Sequence, residues 1–208
     1  MAKTWMTEYG LMTDGWETPM AADYRRHYEM AEGTHASRML QSLRAPGLQA
    51  MAVVRFGQWC LQQPRLLRVL VDPLYAVADF LIKVLWGIDI SRYAQIGPGL
   101  YIGHFGGITV SPLAVIGRHC NLSQSTTIGV AGHGEREGAP NIGDEVYIAP
   151  GARVFGRIRI GNNVKIGANA VIHKDIPDNA VVALDPGFKI LNFRGNHPST
   201  QTGEEEAL

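Results

Sequence analysis

Residues 141–172 read NIGDEVYIAPGARVFGRIRIGNNVKIGANAVI. An aliphatic side chain returns every six residues, at Ile142, Ile148, Val154, Ile160, Ile166 and Ile172. Glycine or alanine often follows at once, as at Gly143, Ala149, Gly161 and Gly167. A second, often smaller, residue stands four after each aliphatic: Val146, Ala152, Ile158, Val164, Ala170 and Ile176. An α-helix cannot hold this pattern, because six does not match 3.6 residues per turn. A flat sheet would show shorter alternating runs broken by turns. A coil of three flat faces fits. Each hexad makes one short strand and one corner, three hexads close a turn, and each inward aliphatic stacks on its equivalent about 4.8 Å away.

The repeat extends upstream. Ile90, Ile96, Ile102 and Ile108 keep the step of six; after a slip of two it resumes at Val110, Ile116, Leu122 and Ile128, and residues 130–141 then interrupt it as a loop. Many of the 24 glycines thereby acquire places, Gly97, Gly103, Gly117 and Gly129 among them, where they are read as easing the backbone at corners. The chain is therefore read as mainly β: a parallel β-helix of hexapeptide repeats over 88–194. Residues 1–87 are glycine-poor, rich in helix formers, and read as an N-terminal helical domain. Helices are expected over 21–32 and 48–63; Asp72-Pro73 is read as a break or a start, with a third helix running to about Trp86. The polar tail, 195–208, is expected to be disordered.

With 19 basic and 19 acidic residues in 208, the net charge is zero, which argues against broad binding to nucleic acid or to an anionic membrane surface. Cys60 and Cys120 have neither a disulfide framework nor metal-ligand spacing. No signal peptide is visible at the N-terminus, and a reduced, cytoplasmic setting is expected. The apolar run 66–86 is interrupted by Arg68, Asp72, Pro73, Asp79 and Lys83. It is read as helix packed in a core or an oligomer interface, with peripheral membrane contact as the alternative; no transmembrane segment is expected.

The hexads resemble those of the left-handed β-helix acyltransferases, and within that group the chain is similar to serine acetyltransferases from about Ala22 to Ala183. The likeness rests on Arg55-Phe56-Gly57-Gln58-Trp59, Asp89-Ile90, Ile96-Gly97-Pro98-Gly99, His104-Phe105-Gly106-Gly107-Ile108, Gln124-Ser125-Thr126-Thr127-Ile128-Gly129 and Pro140-Asn141-Ile142. The resemblance implies the left-handed coil, a homotrimer or a dimer of trimers, and acetyl-CoA as cosubstrate with no metal. It also implies His104 as general base, oriented by Asp89. The hexads agree with these two positions: His104 is two residues after inward Ile102 and so faces outward, and Asp89 directly precedes inward Ile90. Histidine ordinarily titrates near neutrality, which suits it to take a proton from an attacking hydroxyl. Backbone N–H groups of Gly106-Gly107 or of the coil are candidate oxyanion donors. For CoA the resemblance implicates Gly129, Ala149, Gly167 and Ala168, with Lys165 or Lys174 near phosphates.

Three departures separate the chain from these enzymes, two of them at the acceptor site. Gly103 stands where these enzymes usually carry an aspartate before the histidine. Gly138 and Ala139 replace the usual Arg-His pair before the loop's proline, although His133 and Arg136 lie in the same loop and can substitute. The tail ends Glu206-Ala207-Leu208, not in the isoleucine that docks cysteine synthase. The expected reaction is O-acetyl transfer to a hydroxyl, either L-serine-like or on a sugar of a surface polysaccharide. The alternatives are a non-catalytic trimeric scaffold and a γ-carbonic-anhydrase-like zinc enzyme. The latter would need three ligands in fixed geometry, and His104, His119 and His133 lack its spacing.

Overall fold

A computed structural model describes residues 18–134 and 137–184. Helix α1 (Pro19–Met30) begins behind Thr18, whose hydroxyl accepts from the N–H of Ala21, with proline in the first turn. Helix α2 (His35–Arg44) is capped in the same way by Thr34 and was not expected from periodicity. Helix α3 (Pro46–Leu61) follows, then α4 (Arg65–Trp86), closed by Gly87 in the left-handed conformation at φ 61°. Asp72-Pro73 marks neither a break nor a start: α4 runs on from Arg65, so Pro73 lies inside it. The bond it forgoes would have ended on the carbonyl of Val69, whose residue is 72% exposed, so solvent can satisfy that oxygen.

From Ile88 the chain winds into a parallel solenoid of about five turns. One face holds β1 (Ile88–Ile90), β4 (Ile108–Val110), β7 (Thr127–Gly129), β10 (Arg153–Phe155) and β13 (Val171–Ile172). The second holds β2 (Gln95–Ile96), β5 (Val115–Ile116), β8 (Asn141–Ile142) and β11 (Arg159–Ile160). The third holds β3 (Tyr101–Ile102), β6 (Asn121–Leu122), β9 (Tyr147–Ile148), β12 (Lys165–Ile166) and β14 (Val181–Val182). All pairings between these strands are parallel. The aliphatics fill the axis: Ile90, Val110, Ile128, Val154 and Ile172 form one column. Cys120 points into it, and burial pushes its thiol up to about 12; Cys60 is also buried and unpaired.

Two corrections concern the repeat. Ile108 is not the next member of the Ile90–Ile102 series. It stacks on Ile88, in the inward column that elsewhere takes small residues, and Val110 stacks on Ile90. The two extra residues lie in the corner between β3 and β4, which is Gly103-His104-Phe105-Gly106-Gly107. At the far end the opposite occurs: Ile176 bridges to Ile160, so it is the next hexad aliphatic after a corner shortened by two.

The glycines that follow the aliphatics serve a purpose different from the expected one. Gly97, Gly117, Gly143 and Gly161 do not have positive φ. They stack on one another: a Cβ on Gly97 would lie 2.6 Å from the carbonyl carbon of Gly117. Close approach of successive coils, not backbone freedom, requires them. The left-handed conformation falls elsewhere in the corners, at Gly99, His119, Glu145, Asn163 and Asn179 in one column.

The helices share the solenoid's core. Ala50, Met51 and Val54 of α3 belong to the same apolar cluster as the coil aliphatics. Asp23 of α1, wholly buried, forms an ion pair with Arg55 of α3 at 2.8 Å. Its Oδ1 also accepts from the N–H groups of Gly99 and Leu100 at 2.8 and 3.0 Å. Arg55 donates onward to the carbonyls of Ile96 and Gly97, both at 2.7 Å, and Gln58 donates to that of Ala94 at 3.1 Å.

Next to this clamp, His27 donates from Nδ1 to the carbonyl of Asp23 at 2.8 Å, while its Nε2 is buried without a partner among the described residues. Burial pushes its pKa below 6.5, against smaller opposing contributions from Asp23 and Ile102. The unfolded chain therefore takes up this proton first. Stability should be complete above pH 6.5 and fall as pH drops through that value toward the folded-state pKa. Thermal unfolding followed across this range should show the loss, and His27→Leu should flatten it; an unchanged slope would assign the acid sensitivity elsewhere.

Candidate active site

The widened corner before β4 carries His104. Phe105 anchors it, meeting Trp86 at the end of α4 edge-on, ring centroids 5.1 Å apart. Trp86 is in turn fixed by its indole N–H to Gln49 Oε1 at 3.1 Å. Gly106 accepts from the N–H of Ser125 at 2.7 Å, and the N–H of Ile108 donates to the carbonyl of Gly87 at 3.1 Å. The corner is thus tied to the coil below and to the helix terminus above, while the imidazole of His104 stays exposed. Neither His104 nor the N–H groups of Gly106 and Gly107 has a hydrogen-bond partner among the described residues.

Asp89 lies on β1, paired in register with Thr109 of the strand that leaves this corner. Its carboxylate faces outward but does not bond to His104. It receives Lys83 Nζ at 3.1 Å, and Lys83 also meets Asp79 at 2.7 Å. Burial lowers the lysine's pKa, but the two carboxylates outweigh it and raise it overall. Sequence reasoning missed Lys83: it lies one helical turn before Gly87, and only the αL cap folds it back over β1.

The residues implicated for CoA divide by corner. Ala149, Gly167 and Ala168 lie on the ridge that descends from His104, because Ile102, Leu122, Ile148 and Ile166 stack in register directly before these corners. At about 4.8 Å per coil, Ala149 is roughly 10 Å and Gly167 roughly 14 Å below Gly103. The row consists of small residues, of which Ala149 is buried and Ala168 exposed. Gly129 instead ends β7 and Lys174 follows β13, both at the far edge of the β1-β4-β7-β10-β13 face, and Lys165 points outward from the β3 face. The loop carrying His133 leaves the corner after β7; it is closed by the Ala131–Gly138 bridge and borders an open cavity of about 480 Å³ with Arg157 and His173 on its wall. Arg136 lies outside the described residues, as do the tail and its last three residues.

Two of the departures from the expected acceptor site are occupied sterically. A Cβ at Gly103 would come within 3.0 Å of the Tyr101 ring and 3.2 Å of its hydroxyl. A Cβ at Gly138 would come within 2.9 Å of Arg157 Cβ. Among the described residues no group of three His, Cys, Asp or Glu side chains is placed to hold a metal, and no helix is long and apolar enough to cross a membrane.

A three-sided solenoid of stacked hexads, with a histidine raised on one widened corner, defines a hexapeptide-repeat protein. The family model "Bacterial transferase hexapeptide (six repeats)" matches residues 139–174. The chain is 33% identical over 169 residues to a serine acetyltransferase of Synechococcus elongatus, covering 81% of this chain and 66% of that protein. It superposes on the crystal structure of Entamoeba histolytica serine acetyltransferase isoform 3 in complex with cysteine with a TM-score of 0.66 at 29% identity, covering 89% of this chain and 60% of that one. The Neisseria gonorrhoeae serine acetyltransferase in complex with serine gives 0.64 at 29% identity, covering 78% and 64%. The chain carries the hexapeptide repeats of bacterial transferases and is serine acetyltransferase-like in sequence and fold. It spans just under two thirds of the length of the Synechococcus relative.

Proposed function

We propose that the protein transfers an acetyl group from acetyl-CoA to an acceptor hydroxyl, with His104 as general base. The observation that carries this reading is the widened corner, which holds an exposed imidazole and the backbone N–H groups of Gly106 and Gly107, all without a hydrogen-bond partner among the described residues, at the head of a ridge of small residues. The imidazole takes the proton of the acceptor hydroxyl, and the oxygen bonds to the thioester carbonyl carbon. The negative charge that develops on the carbonyl oxygen is met by the N–H groups of Gly106 and Gly107. The carbon–sulfur bond then breaks, and the imidazolium returns its proton to the departing thiolate, leaving an O-acetyl ester and CoA. Asp89 acts as a positioning residue when its carboxylate is shared between Lys83 and the imidazole.

The candidate residues sit on two corners of one prism. They can serve a single site only where one copy's His104 ridge faces another copy's 131–138 loop, so a homotrimer, or a pair of trimers, is part of the proposal. A cytoplasmic setting fits acetyl-CoA as the donor. For the acceptor, the ring of Tyr101 and the stem of Arg157 occupy space where serine acetyltransferase-like side chains would extend. This favours a hydroxyl compound other than free serine, such as a sugar of a surface polysaccharide. Free-CoA release from acetyl-CoA, measured with L-serine, homoserine and a panel of sugars, tests both parts. Turnover with a sugar and little with serine is expected. Efficient turnover of serine would overturn the acceptor reading but keep the chemistry; no turnover with any hydroxyl would favour a scaffold.

A further inference from the structure

Tyr101 borders the corner that carries His104. It stands one residue before inward Ile102 and Gly103 one residue after, so both positions face outward on the same side of the coil. The tyrosine ring leans along the strand onto Gly103, the residue before His104. A Cβ built on Gly103 would lie 3.0 Å from its Cε1, 3.4 Å from its Cζ and 3.2 Å from its hydroxyl oxygen. Because Gly103 has no side chain, the phenol takes the outward space directly beside the histidine.

The ring is held in that place by its neighbours. His27 of α1, buried, packs against it with centroids 4.8 Å apart and planes at 51°. The backbone N–H of Tyr101 donates to the carbonyl of Cys120 at 2.9 Å. One coil below, Asn121 stands in register with Tyr101, and Arg26 Nη2 of α1 donates to its Oδ1 at 3.4 Å. The phenolic hydroxyl has no hydrogen-bond partner among the described residues. A tyrosine hydroxyl donates and accepts at once, and its ring presents an apolar face. That pair of properties matches a polyol ring, whose adjacent hydroxyls also donate and accept and whose C–H face is apolar. A free amino acid calls for charged partners, and a phenol supplies a hydrogen bond instead.

We infer that Tyr101 selects the acceptor: its hydroxyl bonds to a pyranose hydroxyl adjacent to the one that His104 deprotonates, and its ring carries the apolar face of the sugar. This rests on the acetyl-transfer reading and adds to it the residue that chooses the substrate. The test is CoA release from acetyl-CoA with the methyl pyranosides of glucose, galactose and mannose, and with L-serine, by the wild type and by Tyr101→Phe. Phenylalanine keeps the ring and its packing on His27, so the melting midpoint should not move. The KM for the pyranoside turned over should rise about three- to tenfold, the usual contribution of one neutral hydrogen bond, while the KM for acetyl-CoA stays the same. Among the monodeoxy analogues of that pyranoside, one should be used equally well by both proteins, because the hydroxyl it lacks is the partner of Tyr101. An unchanged KM, or a rise shared by every deoxy analogue, assigns Tyr101 to packing and overturns the inference while the chemistry stands. Turnover of serine and of no pyranoside overturns it in the same way. CoA release with none of these acceptors would end both readings together.

Discussion

Substituting alanine for His104 should lower acetyl transfer about 10²- to 10⁴-fold, the usual contribution of a positioned general base, and leave the fold unchanged. The side chain is exposed and bonds to nothing among the described residues, so its removal breaks no packing. The corner would still be held by Phe105 on Trp86 and by Ser125 beneath Gly106. Steady-state CoA release with an unchanged melting curve is the measurement. Activity within a few-fold of wild type would remove His104 from the chemistry. Asp89→Asn should act through the histidine, displacing the pH profile of turnover more than the KM. A profile that does not move would confine Asp89 to its ion pair with Lys83.

Losing either partner of the clamp between helices and solenoid should have the largest effect on stability. Asp23→Ala leaves the guanidinium of Arg55 confined with two carbonyls and no counter-charge, and it removes the acceptor for Gly99 and Leu100. Breaking a buried pair from one side typically costs about 3–5 kcal/mol, which in a chain of this length is a fall in Tm of roughly 10 °C. Arg55→Met should be comparably damaging, since it strands a wholly buried carboxylate. The double variant Asp23→Leu with Arg55→Met should be milder than either single change. Calorimetry of all three decides: singles that melt within about 2 °C of wild type would show that the apolar seam of α3 alone docks the helices.

The solenoid was legible because its geometry writes directly into composition. An axis that admits only inward aliphatics at fixed spacing repeats Ile and Val every six residues, and contact between coils at one corner demands Gly97, Gly117, Gly143 and Gly161. The slip of two is visible in the sequence but falls on the wrong side of Ile108, because Ile108 and Val110 both face inward from β4 and a count of six lands on the wrong column without meeting a polar residue. Pro73 was misread for a similar reason: its φ suits a helix, and only the solvent around Val69 shows that the missing bond is tolerable. His104 is proposed from its motif, whereas the partner of Asp89 is not visible in the sequence, since Lys83 reaches it through a three-dimensional turn. The crowding of Gly103 by Tyr101 likewise depends on where the ring swings. The segment Arg55-Phe56-Gly57-Gln58 stood out as a likeness without a reason. Arg55 and Gln58 prove to hold the carbonyls of the first coil, and Gly57 leaves room for the ring of Tyr75.

That same set of contacts decides how the molecule can grow. A stack of parallel strands ends in unpaired amides and carbonyls, an open template for another strand or another molecule. At the first coil the carbonyls of Ala94, Ile96 and Gly97 and the amides of Gly99 and Leu100 are already taken by side chains of α1 and α3. The prism is therefore polar in the sense of a filament with one blocked end. No copy can add above β2 and the turn into β3, and head-to-tail polymerisation is denied its starting surface. The first coil is also laid down on a template made earlier in the chain, so winding can proceed outward from the helices as synthesis delivers each hexad.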